Sequence, residues 1–233
     1  MRTRQEIKAI GKSRFQANYW PCVLAVLLVA LAIGVVSGAL NAPATIHAAN
    51  SGDSETVSVS SSFSILALVV AGPLEIGLCY FFVMNVLGRD DLTATTPFTA
   101  AFTGNFGRKL GGYLWMYLFT VLWSLLLIIP GIIKAYSYAM TPYILADCPN
   151  VKAKDALKLS MRIMSGHKWE LFVFHLSFIG WGLLSCLTLG LLSIFYVDPY
   201  MKSSEATYYL EVREQALRTG VITMGQLEGT EAV

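Results

Sequence analysis

The sequence predicts an all-α fold, a polytopic helical bundle embedded in a membrane with about six membrane segments and amphipathic helices at its interface. Three observations predict it. Of 233 residues, 55% are hydrophobic and only 14% are charged, where an ordinary soluble domain carries about 25% charged residues. Mean hydropathy is +0.57. The apolar residues gather in long blocks, and the basic residues gather between them. The net charge of +2 is too small to point to nucleic acid.

Residues 1–18 read as a cytoplasmic amphipathic helix. Thr3-Arg4-Gln5-Glu6 matches a capping box, and Ile7, Ile10 and Phe15 would let the helix lie on the bilayer surface. Arg2, Arg4, Lys8, Lys12 and Arg14 followed by an apolar run mimic a secretory signal. The run from Tyr19 to Leu40 is longer than the about 7–15 residues of a signal's apolar core, so it reads as a span. Gly34 and Gly38 in it form a GxxxG, a spacing that lets helices approach closely. The stretch 41–61, "NAPATIHAANSGDSETVSVSS", holds no Lys or Arg and reads as a flexible external loop. Val57 and Val59 alternate with Ser there, a weak strand signal. The second span runs from about Phe63 to Leu87 and contains Pro73 and Glu75.

The third block, Leu110 to Ala146, and the fourth, Trp169 to Val197, far exceed the ~20 residues of a single crossing. Charge decides how they fold. Basic residues cluster in the N-terminal segment, at Arg89, Arg108 and Lys109, at Lys152, Lys154, Lys158, Arg162 and Lys168, and at Lys202, Arg213 and Arg218. The positive-inside rule puts all four clusters in the cytoplasm. That holds if each long block is a helical hairpin, with Pro130-Gly131 as the external turn of the first and Gly180–Gly190 turning the second. Both termini are then cytoplasmic. The halves of each block are short, so a pair of re-entrant half-helices competes for Trp169–Val197. The membrane domain spans residues 19–201, and residues 202–233 read as a cytoplasmic helix with a flexible C-terminal tail.

Within the membrane domain, residues 151–165 form a basic interfacial helix started by Asn150 and stopped by Gly166. Ala153, Ala156, Leu157, Ser160, Met161 and Met164 share its apolar face. Lys154, Lys158 and Arg162 lie off that face and are the candidate contacts to anionic lipid headgroups. A merely solvated basic face is the plainer reading. Trp20, Trp115, Trp123, Trp169 and Tyr200 fall near segment ends, as interfacial aromatics do.

Ionisable groups inside apolar runs are candidate sites, because burying a charge in hydrocarbon costs at least about 2.5–3.5 kcal/mol. Glu75, two residues after Pro73, is the foremost: it either handles a cation or proton or bonds a neighbouring helix. Lys134 lies by the proposed turn and either snorkels to headgroups or pairs with an interior carboxylate. His175 stands alone on an apolar stretch, suited to an interhelical hydrogen bond or to a ligand. Asp147 precedes Cys148-Pro149 at the inner interface. Asp198 before Pro199 reads as a helix N-cap. Cys22, Cys79, Cys148 and Cys186 are far apart and read as small apolar residues. There is no HExxH, GxSxG, Walker A loop or metal-spaced His/Cys cluster, so no catalytic residue, metal or cofactor is expected.

"GPLEIG" (Gly72–Gly77), "LWSLLLIIPGIIKAYSYAMTPYILAD" (Leu122–Asp147), "HKWELF", "LSFIGW" (Leu176–Trp181), "LTLG" (Leu187–Gly190) and "DPY" (Asp198–Tyr200) together resemble an uncharacterised bacterial family of integral membrane proteins, a domain of unknown function. The resemblance runs from about Ser61 to Leu210 and implies a bacterial inner (cytoplasmic) membrane. It is also distantly similar to membrane domains attached to some glycerophosphodiester phosphodiesterases, without their catalytic domain. It carries no activity or ligand to transfer. The expected function is that of a non-enzymatic scaffold or accessory protein touching lipids, with a second copy or another membrane protein as partner. A small-solute transporter or channel using Glu75 and Pro-broken helices is the alternative, and a membrane enzyme the third reading.

Overall fold

A computed structural model describes residues 2–51, 60–89 and 91–233, the side chains of 39–51 and 60–67 excepted. Among the described residues it contains helices and connecting turns but no strand. The helices are α1 (Arg4–Ala17), α2 (Tyr19–Ser51), α3 (Ser60–Val86), α4 (Thr96–Phe102), α5 (Phe106–Leu126), α6 (Ile128–Tyr138), α7 (Thr141–Asp147), α8 (Ala153–Ile163), α9 (Lys168–Leu176), α10 (Ile179–Leu187), α11 (Asp198–Arg218) and α12 (Met224–Glu228), with a π-helical turn, Ser193–Val197, leading into α11. Three stretches within helices are long and apolar enough to cross a membrane: Tyr19–Gly38, Leu68–Val86 and Lys168–Leu187.

The centre of the packed part is α3. Leu74, Ile76, Phe81, Phe82 and Val83 are buried there, with α2 supplying Cys22, Val23, Ala25 and Val29. Short α4 crosses α3 at Gly77, where a Cβ would come within 2.0 Å of the Pro97 carbonyl oxygen, so only glycine allows that crossing. The capping box at Thr3 and Glu6 is formed. The apolar face of α1, however, meets protein and not lipid. Ile7 and Phe15 are fully buried, Gly11 lies against the Ser204 backbone, and the Ser203 hydroxyl donates to the Gly11 carbonyl at 2.9 Å. Small residues on both helices let α1 settle onto α11 (compare the role such residues play in membranes).

The turn of the first hairpin is Leu127, not Pro130-Gly131. Leu127 is extended, with φ −159° and ψ 138°, and separates α5 from α6. Pro130 falls in the first turn of α6, where its missing N–H costs nothing. Gly131 sits against Ser124, whose Cα would be 2.6 Å from an added Cβ, so it closes the hairpin without turning it. The second hairpin turns at Thr188–Gly190, with positive φ at Leu189 and Gly190.

Other expectations need correction. Helix α2 runs on to Ser51 through the stretch read as loop 41–61, because Ala44, Ala48 and Ala49 favour helix. The core of that loop, with Val57 and Val59, lies outside the described residues. Lys152, not Asn150, is at the N-cap of α8. Asp198 caps nothing, because the chain enters α11 already helical at Val197; its carboxylate instead accepts from the Ser193 hydroxyl at 2.9 Å. The C-terminal tail is folded: Thr223 and Gln226 form a capping box on α12, and Gly229, at φ 72°, packs against the Asn150 carbonyl.

Candidate functional site

Four helices bring ionisable side chains into one chain of contacts. From α3, Glu75 Oε1 is 2.5 Å from Lys202 Nζ on α11. Lys202 is 3.8 Å from Glu205 Oε2, one turn further along α11. Glu205 accepts from the Tyr143 hydroxyl of α7 at 2.9 Å, and its other oxygen is 2.8 Å from His175 Nε2 of α9. With Glu205 ionised, Nε2 carries the hydrogen of that bond. Glu75 and Lys202 remain 30% and 23% exposed.

A second set adjoins the first through α7 and α11. Tyr209 donates to Asp147 Oδ2 at 2.9 Å, and Arg213 pairs with the same oxygen at 2.8 Å. Tyr143 and Asp147 are four residues apart on α7, as are Glu205 and Tyr209 on α11. Each helix therefore gives one tyrosine and receives one, and the two tyrosine rings stack at 5.5 Å. Every carboxylate here has a cation or hydroxyl partner, the condition for tolerating charge in a low-dielectric interior.

Of the sequence-predicted site residues, Glu75 and His175 thus belong to one cluster, and Asp147 to its continuation. Lys134 does not join them. Its ammonium rests over the Trp123 ring, 4.9 Å from the centroid, so an aromatic face and not a carboxylate receives the charge. Lys202, Glu205, Tyr209 and Arg213 escaped sequence reasoning, which assigned residues from 202 onward to a cytoplasmic helix and tail, and Tyr143 escaped it inside the third apolar block. The signal was present: 202, 205, 209 and 213 share one helical face.

The basic helix α8 is committed to protein on its apolar side, where Ala156, Leu157, Leu159, Ser160 and Ile163 are buried. Ser160 donates to the Ser137 carbonyl of α6 at 2.8 Å. Its cations point elsewhere. Lys154 lies over Trp115 at 4.9 Å. Lys158 pairs with Asp155 at 3.3 Å and reaches the Val233 carbonyl. Arg162 is exposed beside a cavity of about 620 Å³ also lined by Lys158, Met161, Ser165 and Val221.

Another cavity, of about 670 Å³, lies beside Arg108, Lys109 and Asp147 and is rimmed by Thr96, Thr99 and Asn150. Its cations are already engaged. Arg108 donates to the carbonyls of Leu145, Cys148 and Val151, and Lys109 to those of Ala100 and Thr103. Burial, and then the Asp147 charge, pushes the neighbouring Cys148 thiol up to about 11, which keeps it protonated and poorly nucleophilic. Among the described residues no group of three or more His, Cys, Asp or Glu is arranged to hold a metal ion.

No curated protein and no solved structure matches the chain. A family model does match, from residue 125 to residue 216, and the match takes in the tips of both hairpins and every member of the two polar clusters except Glu75. That stretch of the chain is similar to the family described as Protein of unknown function (DUF975).

Proposed function

We propose that the protein is a non-catalytic scaffold of the bacterial inner membrane that fills the cytoplasmic leaflet more than the outer one. The observation that carries this reading is the chemistry of the two hairpin tips. Leu125, Leu126, Leu127, Ile128 and Ile129 stand clear of the rest of the protein, Leu125 at 83% exposure, and Leu187, Leu189 and Leu191 do the same, Leu189 at 94%. An external aqueous turn would carry polar residues. These tips belong in hydrocarbon.

The charged helices α1 and α8 set the interface. They meet the bundle at Ser204 and Ser137, near the level of His175 and Glu205. A rise of 1.5 Å per residue puts the Leu127 tip at most about 15 Å above Ser137 and the Leu189 tip at most about 21 Å above His175. The hydrocarbon core is about 30 Å thick. Helices α2, with 33 residues, and α3, with 27, are long enough to cross; Lys168–Leu187 is also long enough by count, but only its part beyond His175 rises above the level set by α1 and α8. All six expected segments are then embedded, but only α2 and α3 traverse. Both termini, α8 and α12 lie on the cytoplasmic side, in keeping with the basic clusters. The Glu75–Lys202–Glu205–His175 chain acts as an internal tie that fixes the second hairpin to α3, and Lys154 and Arg162 face anionic headgroups.

Six segments in one leaflet against two in the other expand the cytoplasmic leaflet and bend the bilayer. Reconstitution tests this. Vesicles should become narrower as protein is added. Leu127→Asp with Leu189→Asp, whose tips cannot enter hydrocarbon, should abolish the effect while α2 and α3 still insert. Vesicle diameters that ignore the wild-type protein would refute the proposal.

A further inference from the structure

The start of α1 and the break between α9 and α10 border an open surface cavity of about 520 Å³ lined by Thr3, Arg4, Gln5, Lys8 and Ser177. The lining holds two cations and no carboxylate. The nearest acid on α1, Glu6, turns back to accept from the Thr3 N–H in the capping box. Lys8 is half-buried and its ammonium sits over the Phe178 ring, 4.1 Å from the centroid, which fixes its position, and it makes no hydrogen bond or ion pair among the described residues. Burial, and then the positive charge of Arg4, lower the Lys8 pKa, so an anion between the two would relieve an existing strain.

The surroundings decide which anion. On either side of Ser177 in sequence, Leu176 of α9 and Ile179 and Leu183 of α10 are exposed apolar side chains. A soluble phosphate would have no use for that strip. A phospholipid would lay an acyl chain on it. We propose that this cavity is a binding site for an anionic glycerophospholipid, whose phosphate lies between Arg4 and Lys8 and accepts from Gln5, and whose acyl chain follows Ile179 and Leu183. The site is separate from the cations of α8. It rests on the membrane placement proposed above, since it needs α1 at the cytoplasmic interface.

The test uses the full-length protein in phosphatidylcholine vesicles, with spin-labelled phosphatidylglycerol and spin-labelled phosphatidylcholine as probes and the motionally restricted fraction of each as readout. The wild-type protein should prefer phosphatidylglycerol. Arg4→Gln with Lys8→Gln should lower that preference about tenfold or more, because it removes charge-assisted hydrogen bonds to the phosphate that surface charge alone does not supply. Lys12→Gln with Lys152→Gln removes the same charge from other exposed positions and should preserve most of it. Unchanged preference in the Arg4/Lys8 variant, equal losses in both variants, or displacement of the labelled lipid by soluble glycerol phosphate would each overturn the site. Brominated-lipid quenching of Trp123 and Trp181 in the same vesicles reports hairpin depth independently. Normal quenching without lipid preference sinks only the site, and absent quenching sinks the membrane placement.

Discussion

Lys202 is the residue on which the interior charges depend. It lies between Glu75 and Glu205, and neither position alone announced it, because Lys202 follows the last apolar block and looks like the start of a soluble tail. Glu75 was legible, since a carboxylate after Pro73 in an apolar run has to find a partner. The identity of that partner was not, since the two are brought together only by the packing of α11 on α3. Lys202→Met should therefore destabilise the protein by about 3–5 kcal/mol, leaving two carboxylates short of a cation. Adding Glu75→Gln should restore much of the loss. Thermal unfolding of both single variants and the double variant in bilayers checks this, and additive losses would mean that the two residues do not interact. Lys134 behaves oppositely. It has no carboxylate partner among the described residues, so Lys134→Met should leave stability unchanged or raise it, whereas a large loss in the same assay would restore Lys134 as a candidate site.

Glycines govern the elements. Gly77 and Gly131 permit backbone contacts that a methyl group would prevent, whereas among the described residues no atom outside their own helix turn lies within 4 Å of a Cβ added at Gly34 or Gly38. The sequence drew attention to Gly34 and Gly38 but not to Gly77. GxxxG is a visible spacing, while an isolated glycine such as Gly77 shows its purpose only once Pro97 is placed against it. Gly77→Ala should cost about 1–3 kcal/mol by displacing α4, and Gly34→Ala should cost nothing, in parallel chemical unfolding experiments. The hairpins themselves were readable from block length and charge. Their turns were less so, because Pro-Gly is ordinarily turn punctuation, and here Pro130 starts a helix while Gly131 seals it against Ser124. Amphipathicity likewise identified α1 and α8 as helices and the apolar face of each, but it placed the face of α1 on the bilayer, whereas α11 occupies it.

At the scale of the whole molecule, a packed, charged base carries two long helices and two apolar-tipped hairpins. The positive-inside pattern led to six segments and a common side for both termini. It could not set depth, because a hairpin that stops inside the bilayer and one that emerges beyond it return the chain to the same side. In the proposed placement, depth is set by where α1 and α8 pack, a tertiary property. Nitroxide labels at Leu127→Cys and Leu189→Cys, in a protein whose native cysteines are replaced by alanine, measure it through their relative accessibility to oxygen and to a water-soluble nickel complex. Both sites should be oxygen-accessible and nickel-protected, at a depth near the bilayer midplane. Nickel accessibility at either site, or its labelling by an impermeant maleimide added outside, would contradict hairpins that end within the bilayer.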